Sequence, residues 1–94
     1  MITLYHDDLV LVSWNAEYCG PCKLMKKELK SVRDAFGEKV LVCNIDMEKF
    51  PSLGARFDVS GLPTILLFKK GLPIHRIEGM KKANEIIREV QEFL

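Results

Sequence analysis

Cys19-Gly20-Pro21-Cys22 is where this 94-residue chain sets two sulfur nucleophiles three positions apart. The pair falls between an apolar run, Leu9-Val10-Leu11-Val12-Ser13-Trp14, and a segment with helical periodicity. Two cysteines so spaced at a helix N-terminus can close a disulfide across the first turn. The unpaired N–H groups and the positive dipole end there stabilise a thiolate on the first of them. Gly20 lets another backbone approach, and Pro21 fits a first turn that needs no N–H from it. In a chain of alternating strands and helices such a pair reads as redox chemistry. The competing reading is half of a zinc site. A closed site takes four ligands, yet Cys43, His6 and His75 are the only other Cys or His residues, and they form no second close pair. No metal is therefore expected. An inert packed pair is the remaining alternative, and the helix-terminal position argues against it.

The elements that must hold the pair follow from the hydrophobic pattern. Leu9–Trp14 reads as a strand buried on both faces. Met25, Leu29, Val32 and Phe36 recur at helical spacing, and Gly37 is placed to stop that helix. Val40–Ile45 reads as a second buried strand ending at Asp46, and a short helix follows with Pro51 in its first turns and Leu53 and Phe57 facing inward. Thr64–Phe68 is a third apolar strand. Lys70-Gly71 signals a tight turn, and Pro73–Glu78 returns as its hairpin partner, an edge strand because Pro73 cannot donate to a ladder. Ala83, Ile86, Ile87, Val90 and Phe93/Leu94 make a closing amphipathic helix. Ile2–Tyr5 is a candidate short edge strand ended by His6-Asp7-Asp8. The resulting order, β-α-β-α-β-β-α, is an α/β arrangement: a mixed sheet of about four strands flanked by helices.

Composition bounds the rest. Apolar residues make up 48% and charged residues 29%, enough for one packed core and too apolar for a disordered chain. Residues 1–94 are expected to form a single domain. Fourteen Lys+Arg against thirteen Asp+Glu leave +1, no field to gather nucleic acid or an anionic membrane. The apolar runs are far too short to cross a bilayer. Nothing after Met1 resembles an export signal, and three cysteines do not make a secreted disulfide scaffold, so the cytoplasm is the expected location.

Ala16-Glu17-Tyr18-Cys19-Gly20-Pro21-Cys22-Lys23 resembles the active-site stretch of the thioredoxin family, with Tyr18 where a Trp is usual. Asn44-Ile45-Asp46 resembles the end of that family's next strand, Gly61-Leu62-Pro63-Thr64 its cis-proline loop, and Gly79 the glycine ending its last strand. The resemblance runs from about Val10 to Leu94. It implies a thioredoxin-like fold and a protein dithiol–disulfide oxidoreductase in which Cys19 attacks and Cys22 resolves. It also implies a cis Leu62–Pro63 bond facing the pair, with the Leu62 backbone free to meet an extended substrate. Around it Tyr18, Gly20, Pro21, Leu62, Gly79 and Met80 form a mostly apolar docking patch. Such a protein needs no bound cofactor. Its partners are disulfide-containing protein substrates and a flavin- or ferredoxin-linked thioredoxin reductase.

The chain departs from the family pattern in three places. Ser13 stands where a buried Asp is usual, and Val42 where its Lys partner is usual; losing both together avoids a lone buried charge. The start is also short of the family's usual first strand and helix. Ser13 is expected to be a hydrogen-bonded core hydroxyl, and Cys43 a small buried apolar residue. His6 and His75 are expected at the surface. Lys23, Lys26, Lys27, Lys30 and Arg33 give the cysteine-bearing helix a solvated basic face. Two other functions fit the same residues: an oxidase or isomerase of this fold, since sequence does not set reduction potential, and a non-catalytic adaptor that uses only the docking patch.

Overall fold

A four-stranded sheet carries the cysteine pair at one end of a central strand. The computed structural model describes residues 9–94. Strand β1 (Leu9–Asn15) lies between β2 (Val40–Asp46), its parallel neighbour, and β3 (Thr64–Lys69), its antiparallel one; β4 (Leu72–Glu78) completes the order β2-β1-β3-β4. The parallel pair requires a crossover, supplied by helix α1 (Gly20–Phe36). Helix α2 (Pro51–Arg56) links β2 to β3, and α3 (Ala83–Gln91) closes the chain. The expected mixed α/β architecture is therefore the observed one. Ile2–Tyr5 and His6 lie outside the described residues.

Alternation along β1 divides the core in two. Leu9 and Leu11 join Met25, Leu29, Ile86 and Val90, beneath α1 and α3. Val10, Val12 and Trp14 pack with Val59, Leu66 and Phe68 on the other face, where Leu53 and Phe57 cover them. Both faces of β1 are thus dry, which explains its unbroken apolar sequence. Gly37, at φ 57°, ends α1 by donating its N–H to Arg33 O. Lys70 and Gly71 both take positive φ, 53° and 81°, the two-residue turn that matches the twist of β3 and β4.

Three long-range side-chain bonds tie down the start of α3 and the segment after α2. Glu28 of α1 accepts from the Ala83 N–H at 2.7 Å, capping α3, whose own N-cap residue Lys82 gives no side-chain bond. Arg76 of β4 donates to the carbonyls of Asp58 and Phe57, fixing the chain after α2 on its way to Pro63.

The structure corrects several expectations. β2 is not a fully buried strand: it is an edge of the described sheet, with Leu41 40% exposed, Asn44 exposed and only Val40, Val42 and Ile45 buried. An apolar run cannot announce whether a strand has neighbours on both sides. Cys43, on this edge, is accordingly half-buried rather than a closed core residue. At the C-terminus Phe93 packs on the core while Leu94 is exposed. His75 is half-buried, bonded to Glu89 at 2.9 Å and set against the Phe93 ring.

Candidate functional site

The end of β1 delivers the chain directly to the cysteines. After Asn15, the Cys19 N–H donates to Ala16 O at 3.2 Å, turning the backbone so that Cys19 becomes the N-cap of α1. Its extended dihedrals (φ −89°, ψ 108°) aim Sγ back at the helix start, where it accepts from the Cys22 N–H at 3.2 Å. A thiol in that position faces unpaired amides and the positive end of the helix dipole. Cys19 and Cys22 are joined as a disulfide, their Cα atoms 5.3 Å apart. Cys19 keeps 8% of its surface exposed against 1% for Cys22, so an incoming sulfur meets Cys19 first.

A second segment closes over the pair. Leu62 packs against Ala16, Cys19 and Cys22, and the Leu62–Pro63 bond is cis. The turn is held by Thr64 Oγ1, which donates to Gly61 O at 2.5 Å, and by the Gly79 N–H, which donates to Pro63 O at 2.9 Å. Gly79 has φ 82°, a conformation costly for any other residue, and a side chain there would project into open space. Of the residues singled out from the sequence, Cys19, Cys22 and Leu62 form one cluster, and Pro63 and Gly79 are bonded together. Gly20 and Pro21 lie exposed at the helix start. Tyr18 is 73% exposed just before Cys19, and Met80 is exposed just after Gly79. Ala16 belongs to the site as well: it is buried against both cysteines, and in sequence only its place at the start of the Ala16–Lys23 stretch pointed to it.

Ser13 does not behave as expected. It is fully buried, and no group among the described residues bonds its Oγ. Its backbone pairs with Asn44 on one side and Ile65 on the other, so neighbouring main-chain groups are already committed to the ladder. Val42, the second departure, is buried and apolar. Burial pushes the Cys43 thiol up, and the Arg33 guanidinium pulls it part of the way back. Among the described residues no group of three or more His, Cys, Asp or Glu side chains is arranged to hold a metal ion, and no helix is long and apolar enough to cross a membrane.

Comparison with known proteins agrees with the geometry. The thioredoxin family model matches residues 2–92. A thioredoxin-like protein of Synechocystis is 38% identical over 85 residues, 90% of this chain and 81% of that protein. Rice chloroplastic thioredoxin Y is 41% identical over 85 residues, and the chain spans about half of its length (51%). A solved thioredoxin-2, described as a component of malaria parasite protein secretion machinery, superimposes with a TM-score of 0.87 at 24% identity, covering 90% of this chain and 82% of that one, a likeness of fold alone. Since the family model takes in residues 2–92 and the Synechocystis protein aligns over four fifths of its own length, the chain belongs to the thioredoxin family.

Proposed function

We propose that this chain reduces disulfides of protein substrates by dithiol–disulfide exchange, Cys19 attacking and Cys22 resolving. The observation that carries the reading is the placement of Cys19 Sγ at the N-cap of α1, linked to Cys22 and the more exposed of the two. In the reduced protein the Cys19 thiolate attacks one target sulfur and a mixed disulfide forms. The departing target sulfur takes up a proton. Cys22 then loses its proton and attacks Cys19 Sγ, releasing the second target thiol and leaving Cys19–Cys22 oxidised. Two electrons pass to the target, and a flavin- or ferredoxin-linked reductase returns them. Tyr18, Gly20, Pro21, Leu62, Gly79 and Met80 make the docking patch, with an extended target segment lying along the Leu62 backbone beside Pro63. The chemistry asks for no bound cofactor and suits a reducing compartment such as the cytoplasm.

Mutational trapping tests the division of labour. Cys22→Ser should hold targets as stable mixed disulfides through Cys19, and Cys19→Ser should hold few or none. Equal trapping by the two variants, or trapping by Cys19→Ser alone, refutes the assignment. Reduction of insulin disulfides with dithiothreitol as electron source separates the enzyme from a non-catalytic adaptor. The equilibrium potential against glutathione separates reductase from oxidase.

A further inference from the structure

Beside the C-terminal ends of β1 and β2 lies an open cleft of about 420 Å³, with Asn15, Asn44 and Asp46 on its sheet side and Lys26, Lys30 and Arg33 on its α1 side. That volume falls in the range of ligand-binding clefts, roughly 300–1,000 Å³. Three cations against one carboxylate make it positive, and Asn15 and Asn44, bonded to each other at 3.3 Å, add carboxamide groups to its wall. The cations are arranged at the expense of the helix. Lys26 and Lys30 are four apart and Lys30 and Arg33 three apart, spacings at which like charges repel. Among the described residues no carboxylate lies within ion-pair distance of them.

The stripe continues from the disulfide. Lys26 is one helical turn beyond Cys22 and Arg33 three turns, about 6 and 16 Å at 1.5 Å per residue. An extended chain covers about 3.3–3.6 Å per residue, so a segment roughly two to five residues from a disulfide at Cys19 reaches the cleft. The cleft is open and its cations lie at exposed positions, so a free small anion gains little there. A segment already held at the cysteine pair enters at high effective concentration.

We infer that this cleft receives an acidic segment of the protein whose disulfide engages Cys19, so that charge helps to select the partner. The inference rests on the exchange reading above for the identity of that partner. Its test first removes the redox step: a short cysteine-free polyglutamate peptide is titrated into the oxidised protein and followed by NMR amide shifts. Saturable shifts should centre on Asn15, Asn44 and residues 26–33. Affinity should fall about tenfold in the K26Q/K30Q/R33Q variant, the scale that three exposed ion pairs support. It should hold in K39Q/K49Q/K69Q, which removes equal charge elsewhere, and rise in Asp46→Asn, whose side chain can still accept from the Glu48 N–H. Equal weakening by both charge-reduced variants, shifts centred elsewhere, or displacement of the peptide by equimolar inorganic phosphate at the same resonances overturns the inference. In a second measurement the wild-type protein should reduce a disulfide peptide with a glutamate tail faster than one with a glutamine tail, the advantage vanishing at high salt. If neither peptide is reduced while polyglutamate binds as expected, the exchange reading fails and the acidic-segment site stands. If both are reduced at equal rates at low salt, the cleft inference fails and the exchange reading stands.

Discussion

Ser13→Ala should make this protein more stable, an unusual sign for a substitution at a fully buried position. The wild-type hydroxyl is 0% exposed, and no group among the described residues bonds its Oγ. Leaving a buried polar group unpaired costs about 1–3 kcal/mol. Alanine removes that penalty and forfeits only the dispersion contacts of one oxygen, about 0.1–0.2 kcal/mol per atom pair, or roughly 0.5–1 kcal/mol for a handful of neighbours. The expected balance is a gain of about 0.5–2 kcal/mol, and about 1 kcal/mol corresponds to a rise in Tm of roughly 4–8 °C for a domain of this size. Urea unfolding followed by Trp14 fluorescence and circular dichroism measures it, with the oxidised and reduced forms compared separately and the denaturant slope checked for constancy. A loss of about 0.5 kcal/mol or more, well outside extrapolation error, refutes the reasoning: Oγ would then have a hydrogen-bond partner whose loss Ala exposes. Ser13→Asp should act oppositely. It places a carboxylate at a fully buried position, with buried Val42 apolar and no source of counter-charge, and where that carboxylate is ionised it should move the Cys19 titration upward.

Cys43 titrates high because burial outweighs the pull of Arg33, so its contribution to stability is complete below the unfolded thiol value of about 8.5 and is lost as pH rises through the folded value. Cys43→Ala should therefore flatten the alkaline decline in stability, and native alkylation of Cys43 should be slow at neutral pH and speed up above about pH 9; rapid labelling at pH 7 contradicts this. Glu28→Ala should cost about 0.5–2 kcal/mol by uncapping α3, with Glu28→Gln losing less because its carbonyl still accepts. Amide exchange at residues 83–86 reads the effect directly, and unchanged protection there counts against the cap. Gly71→Ala should cost about 1–2 kcal/mol, because φ 81° in the β3–β4 turn lies in the left-handed region. A variant as stable as wild type would show that the turn can adopt another conformation.

Local chemistry written in contiguous residues was legible without coordinates. The cysteine pair, its helix, the Gly37 stop and the Lys70-Gly71 turn each depend on residues within a few positions of one another, and each appears where the pattern puts it. The cis Leu62–Pro63 bond was legible only through family resemblance, since the local sequence permits either isomer. Strand periodicity placed β2 but misjudged its burial, because Leu41 and Cys43 owe their exposure to the place of β2 at the edge of the described sheet rather than to their own sequence.

What the sequence by itself determined is the reactive group and the elements that present it, because helix caps, turns and amphipathic faces are short-range properties of the chain. Tertiary structure alone decided which strand lies at an edge, that Glu28 caps a helix 55 residues away, that Ser13 Oγ meets no protein partner among the described residues, and that Asn15 and Asn44 face Lys26 across one cleft. Each of these depends on what another part of the chain brings into contact. A hydrogen bond or a charge field acts over a few ångströms of space, and spacing along a sequence does not state which distant residues share them.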